Sequence, residues 1–146
     1  MSIENICNHD VVMLPPGASI QEAAQLMKEK NVGCVVVVKD VLSDKSPIGI
    51  ITDRDIAIKL TADDVDAEQV TVYDVMSREI VLIFKNDSVK KAIIAMQAKG
   101  VRRAPVIDEN HKVCGIISLD DLFVLLIEEL DFLKDLIQKQ IQRGKK

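Results

Sequence analysis

Aromatic residues are scarce in this chain. They make up 3% of its 146 residues, with no Trp, one Tyr (Tyr73) and three Phe (Phe84, Phe123, Phe132). Single-stranded nucleic acid is held by stacking bases on aromatic rings, so that function lacks its platform. Basic residues are not in excess either: 19 against 23 acidic ones leave a net charge of −4. A general nucleic-acid binder needs a net basic face to displace phosphate counterions. Long apolar runs are missing, and stretches such as Cys34–Val38 fall far short of the ~20 residues of a membrane helix. The opening MSIENICNHD carries acids and no apolar segment, unlike a secretory leader. The three cysteines (Cys7, Cys34, Cys114) are an odd number with no CxxC pair, which fits free thiols in a reducing cytosol. Neither GxxxxGK[ST] nor GxGxxG occurs, and His9 and His111 lack a second ligand at metal-binding spacing. The expectation is a cytoplasmic protein with no membrane, nucleic-acid or metal partner, and a binder rather than an enzyme.

With 48% hydrophobic residues, the core has to be aliphatic, and it is written twice. Sliding the chain by 69 positions sets Ile3–Asn8 on Val72–Ser77 and pairs Val12 with Val81, Ser19 with Ser88, Ala23 with Ala92, and Met27 with Met96. After a three-residue insertion the offset becomes 66, and Gly49-Ile50-Ile51-Thr52-Asp53-Arg54-Asp55 meets Gly115-Ile116-Ile117-Ser118-Leu119-Asp120-Asp121. Such register is the signature of an internal repeat. Each copy starts with a short helical turn and an extended apolar piece (Val11–Leu14; Ile80–Phe84). A helix capped by Ser19 or Ser88 follows, with apolar residues at helical spacing (Ile20, Ala23, Ala24, Met27; Val89, Ile93, Met96, Val101). Cys34–Val38 and Ala104–Ile107 read as strands covered on both faces. A second strand (Ile48–Thr52; Val113–Ser118) and a second helix complete a β-α-β-β-α unit, with an acidic linker near Thr61–Gln69.

The C-terminus departs from the repeat. Asp121–Arg143 holds no Pro or Gly, and Leu122, Leu126, Leu130, Leu133, Ile137 and Ile141 form one stripe of a long amphipathic helix. Acids come early (Glu128, Glu129, Asp131) and bases late (Lys134, Lys139, Arg143), as the helix dipole favours. The stripe can lie on its own domain or on a second chain.

The duplicated unit resembles a pair of cystathionine-β-synthase (CBS) domains, a Bateman module. The resemblance runs from residue 3 to about residue 127 and rests on the two Gly-hydrophobic-x-Ser/Thr-x-x-Asp segments at 49–55 and 115–121, with Asp74-Val75-Met76-Ser77 and Val101–Asp108 in support. It implies an α+β (α/β-like) fold: two β-α-β-β-α repeats (1–69 and 70–127) packed around a pseudo-twofold axis, plus a helical extension over 128–146. Thr52 and Ser118 stand where free backbone N–H groups of a helix N-terminus meet an anion. Asp55 and Asp121, three residues on, suit the paired hydroxyls of a ribose, since a carboxylate only accepts. The strand ends Ile50-Ile51 and Ile116-Ile117 offer a slot for a flat base. Capping alone also explains Thr52, Ser118 and the two aspartates.

The resemblance further implies two clefts between the repeats that take an adenine nucleotide. One joins Thr52 and Asp55 to Arg102 and Arg103, with Val81 against the base. Its mirror joins Ser118 and Asp121 to Val12, but has the uncharged Gly33 and Cys34 on the phosphate side, and is expected to bind more weakly. Arg54 either reaches phosphate or pairs with Asp53 or Asp55. No cofactor is required; AMP, ADP or ATP would be a regulatory ligand, with NAD or S-adenosylmethionine as alternatives. The resemblance implies a homodimer acting on a separate effector protein; a constitutive dimerisation scaffold is the competing reading.

Overall fold

A computed structural model describes residues 1–145. Two three-stranded sheets form, ordered β1-β2-β3 and β4-β5-β6. The first half of the chain holds β1 (Met13–Leu14), α1 (Ile20–Lys30), β2 (Cys34–Asp40), β3 (Asp44–Thr52) and α2 (Asp53–Asp63). The second holds α3 (Val72–Val75), β4 (Ile83–Phe84), α4 (Val89–Lys99), β5 (Arg103–Ile107), β6 (Val113–Ser118) and α5 (Leu119–Gly144). In each sheet the first strand runs parallel to the second and the second antiparallel to the third. The α+β fold of two β-α-β-β-α repeats with a long terminal helix is thus the observed one.

Local chemistry explains the elements. The Ser19 hydroxyl accepts from the Glu22 N–H at 3.1 Å and the Ser88 hydroxyl from the Lys91 N–H at 3.2 Å, so both helices start where the serines are. The helices end at left-handed residues, Asn31 (φ 54°) and Gly100 (φ 64°), which places Val101 beyond α4 rather than on it. Both opening strands are shorter than their apolar runs. Only Met13–Leu14 and Ile83–Phe84 join the ladders, while Ile80 and Val81 stay extended beside a cavity.

Packing couples the halves by exchange. A short 3-10 helix, Ile3–Asn5, leaves its own half: Ile3 is fully buried with Ile83, Ala92, Val106 and Ile117 of the second. Val72 of α3 is buried in return with Ile20, Ala23, Val37 and Ile51 of the first. Backbone bonds hold both plugs, from Ile3 N–H to Asp87 O (3.0 Å) and from Val72 N–H to Ala18 O (2.8 Å). The glycines of the repeated segment permit the exchange. A Cβ on Gly49 would collide with the Met76 side chain and lie 2.9 Å from the Ser77 carbonyl, and one on Gly115 would lie 2.7 Å from Cys7 Sγ. A division at residue 69 therefore separates each core from a residue that completes it. A third cluster, Val36, Val38 and Val113 with Ile116, fills the space between the sheets.

One ion pair also spans the halves. Lys112 Nζ donates to Asp44 Oδ1 and, at 2.8 Å, to the Ser46 hydroxyl. The Lys112 ammonium, then the Ser46 hydroxyl, hold the Asp44 carboxyl well below the usual carboxylate range. A carboxyl depressed in the folded state stabilises above its unfolded value of about 4 and loses that contribution as pH falls toward the folded one. Thermal melts from neutral pH downward should show Asp44→Asn less stable than wild type at neutral pH, with the gap closing in acid. A gap that stays constant would show the pair to be idle.

The terminal helix does not fold back. No residue of α5 is buried, and only Leu122 touches a core, that of the second half. Leu130, Ile137 and Ile141 are 58%, 57% and 54% exposed, so the far part of this stripe does not lie on its own domain. No helix among the described residues is long and apolar enough to cross a membrane.

Candidate functional site

Thr52 and Ser118 each end a strand and cap the helix that follows. Thr52 Oγ1 accepts from the Asp55 N–H at 3.2 Å, while the Thr52 N–H donates to Asp55 Oδ2 at 2.9 Å. Ser118 and Asp121 repeat the box, with the Asp121 N–H at 3.2 Å from Ser118 Oγ and the Ser118 N–H at 2.8 Å from Asp121 Oδ2. Each box uses one carboxylate oxygen. Asp55 Oδ1 is left without a partner among the described residues, at the lip of a cavity.

That cavity has a volume of about 320 Å³ and lies between the halves. Ile50, Thr52, Arg54 and Asp55 come to it from the first half, and Val81, Arg102 and Arg103 from the second. The register makes this meeting. Arg103 opens β5 opposite Ser118, and the Arg102 carbonyl accepts from the Leu119 N–H at 2.8 Å, which fixes both arginines at the strand's start. The paired backbone bonds between Ile50 and Ser77 (3.1 and 2.9 Å) bring Ile80 and Val81 over β3. None of the guanidiniums of Arg54, Arg102 and Arg103 pairs with an acid among the described residues. The alternative of Arg54 paired to Asp53 or Asp55 is therefore not realised. The basic side chains face an aliphatic wall of Ile50, Ile80, Val81 and Pro105.

Two expected residues are not there. Ile51 and Ile117 are fully buried, in the cores of the first and second halves. Successive strand residues point to opposite faces, so Ile50 and Thr52 reach the cavity and Ile51 must turn away; the same parity removes Ile117. The cavity has further walls that the motifs did not indicate: Asp53, Ser77, Glu79, Ile80, Val101 and Pro105. The same two-residue period that places Arg103 would have found Pro105.

The mirror cleft is built differently. Ser118 caps α5 as described, but Ile116 packs with Val36, Val38 and Val113 between the sheets. Asp121 borders a different hollow, of about 260 Å³, with Asn5, Ile6 and Glu128. Val12 packs at the margin of the first core, and its carbonyl accepts from the Val36 N–H at 3.0 Å. Cys34 is buried, and burial pushes its thiol up despite the nearby Arg103. A Cβ on Gly33 would lie 3.6 Å from Arg103 Nη2 and 3.3 Å from Asp53 Oδ2. Arg103 thus stands at the boundary of both clefts, while Arg102 and Arg54 belong to the first. By the repeat register their counterparts in the mirror cleft are Gly33 and Asp120.

No group of three or more potential metal ligands occurs among the described residues. Cys7 and Cys114 keep raised thiol values, chiefly through burial. His9 accounts for itself structurally, with Nε2 at 2.9 Å from the Glu4 carbonyl and Nδ1 at 3.3 Å from that of Cys114.

Known proteins share this architecture. The chain is 40% identical over 123 residues to the CBS domain-containing protein YhcV of Bacillus subtilis, covering 84% of each. It is 33% identical over 122 residues to protein MK0525 of Methanopyrus kandleri, of whose length it spans 61%. Among solved structures, Hypoxic Response Protein I with two coordinated zinc ions superposes with a TM-score of 0.73 at 30% identity, over 84% of this chain and 96% of that one. The CBS domain protein PAE2072 of Pyrobaculum aerophilum complexed with AMP gives 0.74 at 23% identity, over 84% and 90%. The CBS domain profile matches twice, at residues 3–62 and 72–128, which are the two halves whose exchanged plugs and capped aspartates are described above; the chain belongs to the CBS domain family, as a tandem pair.

Proposed function

We propose that the chain is a non-catalytic regulatory module that takes one adenine nucleotide in the cavity between its repeats and signals by a change of shape or assembly. The observation that carries this reading is the convergence of Arg54, Arg102 and Arg103, none paired with an acid among the described residues, on a cavity whose far wall is aliphatic. Arginine offers phosphate two parallel charge-assisted bonds. Asp55 Oδ1 is free to accept from a ribose hydroxyl, and Ile50, Ile80 and Val81 can cover an adenine without a stacking ring. A volume of about 320 Å³ is at the small end of ligand sites, which favours a mononucleotide over NAD. The AMP complex of the Pyrobaculum protein supports the same choice. A ligand shifts such a module only through its different affinity for two states.

Calorimetry with AMP, ADP and ATP tests the assignment. Asp55→Ala should weaken binding about 10- to 100-fold, the loss of a charged acceptor. Asp121→Ala should leave the first site nearly unchanged. Both variants lose a capping box worth about 1 kcal/mol, so they serve as each other's stability control. Equal losses would overturn the inequality of the clefts, and no binding at millimolar adenylate would overturn the nucleotide reading.

A further inference from the structure

The cavity between the repeats carries as many acids as bases. Against Arg54, Arg102 and Arg103 stand Asp53, Asp55 and Glu79. In the proposed function Asp55 meets the ribose, but Asp53 has no part. The repeat does not require an acid there, since its counterpart at offset 66 is Leu119. The backbone is the same at both positions: the Asp53 N–H donates to the Gly33 carbonyl at 2.9 Å, and the Leu119 N–H to that of Arg102 at 2.8 Å. The side chain is what differs. Asp53 Oδ1 accepts from the Arg54 N–H at 2.8 Å, which holds the carboxylate at the start of α2. Its other oxygen, Oδ2, lies beside Gly33, 3.3 Å from where a Cβ would stand, and Arg103 Nη2 lies 3.6 Å from the same point. Acid and base thus face each other across one glycine, and no ion pair joins them.

We propose that Asp53 restricts the site to a nucleoside monophosphate, by setting a negative charge where a second or third phosphate would lie. The inference rests on the nucleotide reading and names the ligand class within it. With the base on Ile50, Ile80 and Val81 and the ribose at Asp55, the first phosphate falls to the arginines. A longer chain continues past Arg103 into the gap at Gly33, against Asp53 Oδ2. The three bases are already matched by three acids, so each added phosphate brings charge for which the cavity has no surplus base. Asp53 is exposed, and water and salt weaken the repulsion to about a factor of ten in affinity.

Calorimetry on the full chain with AMP, ADP and ATP, divalent cations chelated, reads the effect as a ratio of affinities. Wild type should bind AMP at least about 10-fold more tightly than ATP, with ADP between them. Asp53→Asn has the same size and keeps an acceptor for the Arg54 N–H, so it removes charge alone. In it the AMP-to-ATP ratio should fall about 10-fold. Asp53→Glu keeps the charge and should keep the preference for AMP. Thermal melts check that each variant is folded, and Asp53→Ala reads the same loss of charge if the asparagine variant is not. ATP bound as tightly as AMP by wild type would overturn the inference and leave the nucleotide reading standing. So would a ratio unchanged in Asp53→Asn, which is what a limit of size alone predicts. Binding of no adenylate would overturn both.

Discussion

Replacing Ile3 by alanine is expected to destabilise the half of the molecule to which it does not belong in sequence. Ile3 is fully buried among Ile83, Ala92, Val106 and Ile117, so truncation removes a side chain from the second core and leaves a cavity there. Deleting a buried isoleucine down to alanine costs about 2–5 kcal/mol. Val72→Ala should do the same, somewhat more mildly, to the first core. Domains of this size have about 5–15 kcal/mol in total, so the double variant should lie near the limit of folding. Denaturant titration reads the magnitude, and hydrogen exchange reads the place. In Ile3→Ala the amides of α4 and β5 should lose protection together with those of the first half, in one cooperative transition. Protection lost in the second half alone, or two separate transitions, would show that the halves fold as independent units. Gly49→Val gives the complementary test from the other side of the plug. The added side chain must displace Met76 and the Ser77 backbone, and the first core should open through Val72.

The plugs also show where a linear reading ends. Ile3 and Val72 were visible as equivalent positions at the repeat offset, because identity of register is a property of the chain. Which core each one enters is a property of the twofold packing, which carries one residue of each repeat into the core of the other. The capping serines, the two aspartate boxes and the buried runs of β2 and β5 were legible because each depends on local spacing or burial pattern. The long helix was legible for the same reason. That none of its residues beyond Leu122 joins a core was not, since an amphipathic stripe says that something covers it and not what. At the cavity the difference between sequence and structure comes down to strand parity. Ile51 lies between Ile50 and Thr52 on a strand, and both cannot face the cavity unless Ile51 faces away. Arg103 is the opposite case. Its residue type and strand position were plain, but its approach to Gly33 depends on how the two strand starts meet across the axis.

Removing both Arg54 and Arg102 is expected to separate phosphate recognition from nucleoside recognition. Each guanidinium lines the cavity, is exposed, and pairs with no acid among the described residues, so neither is needed to balance a buried charge. A charge-assisted bond is worth about 1.5–3 kcal/mol, discounted here toward the lower value because the site is open to water. Two such losses lower affinity for AMP by about 100-fold, at about 1.4 kcal/mol per factor of ten. Adenosine has no phosphate, so its affinity should change by no more than about 2-fold in Arg54→Ala/Arg102→Ala. Asp55→Ala should weaken adenosine and AMP alike, because it would touch the ribose. Salt should reinforce the contrast: AMP binding to the wild type should weaken as ionic strength rises, and binding to the double variant should respond little. Arg103 is left in place, since it also borders Gly33 and would report on both clefts. Equal losses for adenosine and AMP would mean that the arginines only shape the cavity, and unchanged AMP binding would place the phosphate elsewhere.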